Sequence, residues 1–414
     1  MDVKHSPLKD LCQYYRGIAF MGPHFYTVLV MNKIKMETLL KTQQELSELI
    51  GCPGREDQVR SYIRSRISAY VDSVEVDSAG NLTAIKRGTK KEAPVVLLDA
   101  HMDEVGFMVN HIEADGLVRV SPLGGIDPGI LPGTAVQFVA DPTRHTHPDS
   151  SENPDSSDTQ KAPDTHDSSP VRGTFGSIPP HAKSSLGTNE GNLKIENLTI
   201  DIGAASDSEA RDFGIDIGST GTFFTPFQHL GGTSIMGKAF DNRSGCTILL
   251  HTAAEVASKP IENTVIFLFS ASEEHKQLGA DSIDVPIKPS AALVLENTTA
   301  TDTTGTPERF KIAELGKGPA VTIADTKYIV PQKFIHELTR CAEAHSIPWQ
   351  YKKPVYGGTN AAAISTGGFG IPTGIVSVPC RYIHSPASVL RVEDLKYTAE
   401  LVYYFVLDFS GFPA

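Results

Sequence analysis

One tryptophan in 414 residues, aromatics at 7% and only five cysteines remove several protein classes at once. Cys12, Cys52, Cys246, Cys341 and Cys380 are odd in number and form no C-x-x-C pair. That argues against a zinc ribbon, a thioredoxin-like site and a disulfide scaffold, and it suits the reducing cytoplasm. No run reaches the roughly 18 apolar residues that cross a bilayer. The apolar stretch 18–31 is interrupted by Pro23 and His24 and no small-residue cleavage site follows, so it is not read as a signal peptide. Positive charge is also short: 37 Lys and Arg face 49 Asp and Glu, a net −12. Nucleic acid and anionic membranes want a basic surface, so neither is expected as a partner.

What remains is an ordinary globular composition, 40% hydrophobic and 21% charged, on a chain long enough for two domains. Residues 36–50 carry apolar side chains at helical spacing and stop at Gly51, Pro53 and Gly54. A second helix is expected over about 56–70. Short apolar runs at 94–100, 264–269, 291–295 and 371–378 read as buried strands. Helical segments at about 241–257, 331–346 and 391–407 alternate with them. The fold class expected is α/β, with a mixed, largely parallel sheet.

The stretch 108–231 differs. Its short strand-like pieces, LVRVS, TAVQFV and LTIDIG, are separated by many glycines and prolines, as in a small β-rich insertion. Within it, 141–170 turns to Asp, Ser, Pro and Thr and is read as a disordered acidic loop. Its histidines His145, His147 and His166 suit a solvated loop better than a metal site.

The chemistry gathers at strand ends. The first run leads into His101-Met102-Asp103-Glu104, the second into Ser270-Ala271-Ser272-Glu273-Glu274, the third ends in Glu296, and a loop with His384 follows the fourth. Ligands of open α/β sheets bind beyond the carboxyl ends of the strands, where these groups and Asp241 of GKAFDNRSG can meet. Imidazole with carboxylate suits zinc, cobalt or manganese, and one carboxylate can bridge two ions. Each residue alone has a plain alternative. His101 reads equally as a buried structural histidine, Asp241 as a helix cap, Glu273-Glu274 as a solvated helix start and His384 as a turn residue. Asp302 is a rival to Glu296. The repetition of charge at successive strand ends favours the metal reading.

AHMDEVGFMV, GKAFDNRSG, the Glu-Glu pair followed by LGA, and YIHSP occur here in that order. In this the chain resembles the tetrahedral (TET) aminopeptidases, the family of glutamyl and related deblocking aminopeptidases, over about residues 36–410. The resemblance implies a dinuclear metallopeptidase whose catalytic domain, 31–107 with 232–414, is phosphorylase/hydrolase-like. It makes 108–231 a β-barrel-like dimerisation domain. Residues 1–30 have no counterpart and are read as an extension, with Met31 a working start. The metals, two divalent ions such as zinc or cobalt, would be held by His101, Asp241, Glu274, Glu296 and His384, with Asp241 bridging. Asp103 would orient the His101 side, and Glu273 would be the general base. Gly358 and Thr359 resemble a segment lining the substrate side. After the Glu-Glu pair the family usually reads Val-Gly-Leu-Arg-Gly-Ala. Here it is His275-Lys276-Gln277-Leu278-Gly279-Ala280, which changes the pocket and offers His275 as a competing ligand.

The expected function is removal of N-terminal residues from short peptides by a metal-bridged hydroxide, in a cytoplasmic homo-oligomer, from dimer to tetrahedral dodecamer. The rivals are a deacylase on the same site and an inactive peptide-binding assembly protein. A glycosidase would need two carboxylates flanking a sugar cleft instead.

Overall fold

The computed structural model describes residues 23–140, 170–179, 193–353, 355–367 and 370–412, with side chains from Met36 onward. The expected acidic loop with His145, His147 and His166 lies outside them, save its last residue. A helix, Pro23–Glu48, opens the described chain. It begins thirteen positions before the expected 36, because the proline read as an interruption is its first residue, where a missing N–H and a fixed φ cost nothing. The next helix is shorter than expected, Asp57–Ile67.

Strands β1 (Ser73–Val76), β2 (Leu82–Lys86) and β3 (Val95–His101) follow. Six more, β4 (Gly106–Ile112), β5 (Val118–Leu123), β6 (Ala135–Phe138), β7 (Val171–Phe175), β8 (Ile200–Asp201) and β9 (Thr220–Phe223), close a barrel in the order β4-β5-β8-β7-β6-β9. After β10 (Gln228–His229) and β11 (Ser234–Gly237) come β12 (Thr264–Ser270), β13 (Ala291–Thr299), β14 (Ala320–Thr322), β15 (Gln350–Lys352), β16 (Thr373–Cys380) and β17 (Ser388–Arg391). The main sheet is eight-stranded, ordered β1-β2-β12-β3-β13-β16-β14-β15. Its centre, β12-β3-β13-β16, is parallel, and antiparallel pairings flank it. This is the α/β architecture with a mixed sheet and a β-rich insertion that the sequence patterning implied, and the insertion is the barrel that the family resemblance implied.

The parallel centre explains the apolar runs. Strands covered on both faces carry Val, Leu, Ile and Phe without alternation, and residues 96–98 and 265–269 are all buried. The helices Phe240–Ala257, Gln332–Ala344 and Val392–Asp408 supply the cover. The barrel has a separate core, in which Phe107 meets Phe175 and Phe223 edge-on at 5.0 and 5.4 Å. Cys52, Cys246, Cys341 and Cys380 are buried and unpaired. Among the described residues, no helix is long and apolar enough to cross a membrane.

Candidate metal centre

Register brings the site together. Ser270 at the end of β12 pairs with His101 at the end of β3. Val294 of β13 pairs with Asp99, so Glu296, two residues on, is level with His101. Glu296 therefore sits inside its strand and not at its end as expected, because β13 runs on to Thr299 against β16. Asp241 stands at the mouth of the helix Phe240–Ala257 with non-helical φ/ψ of −80° and 108°. It is not the cap. Asn242 Oδ1 accepts from Gly245 N at 3.0 Å in that role, which frees the Asp241 carboxylate.

The carboxylates and imidazoles converge. Asp241 Oδ1 lies 3.3 Å from His101 Nε2, and its Oδ2 lies 3.5 Å from His384 Nε2. Glu296 Oε2 is 3.7 Å from His101 Nε2, and Glu274 Oε1 is 3.0 Å from His384 Nε2. Two triplets with ligand atoms mutually within 4.8 Å share Asp241: one with His101 and Glu296, one with Glu274 and His384. A third joins His101 to Glu273 and Glu274. His275 belongs to none of these and is exposed, so it does not compete as a ligand.

Both imidazoles are turned the same way. His101 Nδ1 lies 3.1 Å from the Asp103 carbonyl, and His384 Nδ1 lies 2.9 Å from that of Gly125. A carbonyl only accepts, so each Nδ1 carries a proton and each Nε2 is the nitrogen turned towards the cluster's carboxylates. The Gly125 carbonyl comes from the chain following β5, so the barrel side contributes to the site.

Asp103 does more than face His101 Nδ1, 3.3 Å away. Its two carboxylate oxygens accept from the backbone N–H groups of Glu273 and Glu274, at 3.0 and 2.9 Å. Glu56 Oε1 accepts from Ser272 N at 3.0 Å and fixes the same turn from the other side. The turn carries left-handed φ at Ser272 (54°), Lys276 (69°) and Gln277 (60°). Gly279 is required beneath it, since a Cβ there would lie 2.2 Å from the Ala271 carbonyl oxygen.

Burial disfavours charge throughout the cluster, and neighbours decide the outcome. Burial pulls against the His384 imidazolium, but Asp241 and Glu274 hold its pKa up at about 11. His101 is likewise held well above the histidine range against burial, chiefly by Asp103 and Asp241. Asp241 is held low by the two histidines despite its burial. Burial pushes Glu273 up to about 7 and Glu296 well above the usual carboxylate range. The cluster attracts positive charge, and Asp241 Oδ1 and Glu296 Oε1 are buried without hydrogen-bond partners. Oxygen and imidazole donors with orphaned carboxylate oxygens fit divalent cations of the zinc, cobalt and manganese kind.

The rival ligand Asp302 is elsewhere engaged. It accepts from Arg381 Nε at 2.6 Å and from Leu315 N at 2.9 Å. A cavity of 340 Å³ opens on the cluster, and Gly358 and Thr359 line it as expected. Lining residues to which the sequence reading gave no role include Gln277, Lys327 and Lys352. The departure at 275–277 pointed toward the first, and nothing pointed toward the two lysines.

An α/β sheet with an inserted barrel and acids and histidines at the carboxyl edge defines a hydrolase of the peptidase class. The chain belongs to the M42 glutamyl aminopeptidase family, whose sequence profile matches residues 80–147 and 154–401. It is thus a peptide-bond hydrolase, and the family read from the ordered motifs is borne out. A lysyl aminopeptidase of Pyrococcus furiosus is 27% identical over 361 residues, covering 86% of this chain and 94% of that protein. An aminopeptidase of the archaeon Desulfurococcus kamchatkensis superposes with a TM-score of 0.79 at 28% identity, covering 91% of this chain and 96% of that one. A TET peptidase of Pyrococcus horikoshii, which can assemble into a tetrahedron or a large octahedral shell, gives a TM-score of 0.75 at 25% identity, covering 90% and 100%.

Proposed function

We propose that the protein is a dinuclear metallo-aminopeptidase that removes N-terminal residues from short peptides in the cytoplasm. The observation that carries this reading is the sharing of Asp241 by two ligand triplets. His101, Asp241 and Glu296 would hold one divalent cation, and Asp241, Glu274 and His384 the other, with zinc or cobalt as the ions. When bound, such cations polarise the scissile carbonyl and acidify the attacking water. Glu273 faces the same cavity and takes the proton from that water, then returns it to the leaving amine. Asp103 holds the Glu273-Glu274 backbone and the His101 ring, so base and ligands keep one geometry.

The division of labour in the chain is part of the proposal. Residues 31–107 and 232–414 form the catalytic domain, 1–30 precede it, and 108–231 serve to pair subunits. By likeness to the Pyrococcus horikoshii assembly, a homo-oligomer between a dimer and a tetrahedral dodecamer is expected, which light scattering would reveal. Unpaired buried cysteines suit the reducing compartment.

The test is metal analysis of the purified protein together with turnover of an aminoacyl-anilide panel before and after chelation. Free-amine substrates should be cleaved and N-acylated ones refused, with activity lost on chelation and restored by zinc or cobalt. Preference for N-acylated amino acids would replace this reading by a deacylase. Full activity in chelator would overturn the metal mechanism.

A further inference from the structure

Away from the acidic cavity, a second group of ligand-type side chains stands where two helices meet. Cys341 lies in the last turn of the helix Gln332–Ala344, and His345 follows directly after it. Their spacing, C-x-x-x-H, sets both side chains on one face, a turn apart. Asp408 is the last residue of the helix Val392–Asp408, which packs against the first. The sulfur of Cys341, a ring nitrogen of His345 and a carboxylate oxygen of Asp408 lie mutually within 4.8 Å. None of the three lines the cavity over the acidic cluster, and none belongs to that cluster's triplets.

The trio is held in place by its own helices. The His345 ring lies flat on Tyr404, with centroids 3.7 Å apart and planes at 9°. Tyr404 and Asp408 are also one turn apart, so a single helix supplies the plate that orients the imidazole and the carboxylate that meets it. His345 Nε2 and Asp408 Oδ2 are 2.7 Å apart, a charge-assisted hydrogen bond. Arg340, beside Cys341, is paired with Glu337 at 2.6 Å, so its charge is answered there. Cys341 is fully buried, whereas the His345 and Asp408 side chains keep 26% and 33% of their exposure. The group therefore opens to solvent on the side of its carboxylate and imidazole.

Thiolate, imidazole and carboxylate are the donors of tetrahedral zinc. Donors about 2.0–2.3 Å from one ion stand roughly 3.3–3.8 Å from each other. For Nε2 and the Asp408 carboxylate to share an ion, their separation need grow by only about 0.7 Å, which a partly exposed carboxylate at a helix end can give. Burial and the Asp408 charge push the thiol up to about 12, so it keeps its proton until a metal displaces it. The acidic cluster offers only oxygen and imidazole, so sulfur sets the two places apart chemically.

We propose that Cys341, His345 and Asp408 form a separate zinc site that ties the helix Gln332–Ala344 to the end of the helix Val392–Asp408, with water as the fourth ligand. On binding, the Cys341 thiol gives its proton to solvent as the zinc–sulfur bond forms, and His345 binds as the neutral imidazole. The proposal does not depend on the aminopeptidase reading, because no residue is common to the two sites.

The test is absorption spectroscopy of the full-length protein dialysed from zinc into graded concentrations of cobalt. Cobalt held by a thiolate gives a sulfur-to-metal charge-transfer band in the near ultraviolet, which cobalt held by oxygen and nitrogen alone does not. The wild-type protein should develop that band to a plateau, and added zinc should erase it, since zinc is the tighter binder. Cys341→Ala should lack the band and bind one metal ion fewer per chain. Asp408→Asn and His345→Gln change partly exposed side chains and spare the core. Each should raise the cobalt concentration needed for half the band by at least about tenfold, as loss of a ligand requires. Circular dichroism checks that the variants are folded, and these two decide the case should Cys341→Ala fold poorly. The inference is overturned if the wild-type protein shows no such band or if zinc leaves it in place. It is equally overturned if the band survives Cys341→Ala, which would assign it to another thiol, or is indifferent to both other variants.

Discussion

Gln277 Nε2 donates to Glu273 Oε1 at 3.1 Å, while Oε1 of the same amide accepts from Lys327 Nζ at 2.7 Å. The amide has one orientation here, because lysine can only donate and a carboxylate accepts. Glu273 is thereby held by a neutral donor with a cation behind it. Gln277→Leu, which restores the residue of the related motif, frees the carboxylate to rotate. A fall in kcat of about tenfold is expected, the scale of one charged hydrogen bond. Metal content should hold, because Gln277 offers no ligand atom to either triplet. Unimpaired kcat in this variant would show that Glu273 needs no such support.

The adjacent glutamates should separate by their responses. Glu274 Oε1 is 3.0 Å from His384 Nε2, whereas Glu273 approaches His101 Nε2 only to 4.0 Å. Glu273→Gln keeps size and one oxygen but accepts no proton, so activity should fall by about 10²–10⁴ with bound metal largely retained. Glu274→Gln should lower metal occupancy, since a neutral amide oxygen is the poorer ligand. Metal analysis and rates on both variants decide it. The opposite pattern would reverse the two assignments.

Much of this site is legible from the chain because its residues follow strands. His101 and the Glu273-Glu274 pair lie just where apolar runs end, and a parallel register carries those ends to one place. Glu296 escaped that rule, because a strand buried on both faces tolerates one acid only where a partner waits. What stayed hidden is non-local. Gln277 meets Lys327 across 50 residues, and Lys352 sits on a three-residue edge strand with no periodicity to announce it. Asp103 illustrates the same limit. Its motif marks it beside His101, but its grip on the backbone of Glu273 and Glu274 crosses some 170 residues.

Asp302 and Arg381 offer a pH-dependent reading of stability. Burial pushes the Asp302 carboxyl up, but Arg381 and the Leu315 N–H outweigh this and hold it below the usual aspartate range. The unfolded chain titrates this group near its ordinary value, about 3.9. The native state therefore binds fewer protons in that window, and stability falls with pH there. The contribution is fully present above the unfolded value and is lost as pH drops through the folded one. Asp302→Asn should cost about 1 kcal/mol at neutral pH, kept modest by water at the partly exposed Arg381. Urea midpoints measured in chelator at pH 7 and again below pH 4 should show the gap closing. A gap independent of pH would mean that charge is not what the pair contributes.

The last prediction concerns Glu104, the fourth residue of the His101 motif. It is 2% exposed and meets Lys238 Nζ at 2.7 and 2.9 Å, Arg243 Nη2 at 3.2 Å and Thr222 Oγ1 at 2.7 Å. Arg243 reaches on to the Leu46 carbonyl at 2.6 Å and Lys238 to that of Leu49 at 2.7 Å. One carboxylate thus joins the barrel strand β9, the end of the first helix and the helix that opens at Asp241. Removing its charge leaves two buried cations facing an amide, and losing one partner of a buried ion pair typically costs about 3–5 kcal/mol. Glu104→Gln should lower the urea midpoint accordingly with little change in slope. Adding Lys238→Met to that variant should recover part of the loss, because it removes one uncompensated cation while keeping apolar bulk. If the double variant is as unstable as the sum of the two single ones, the network acts through packing and not through charge.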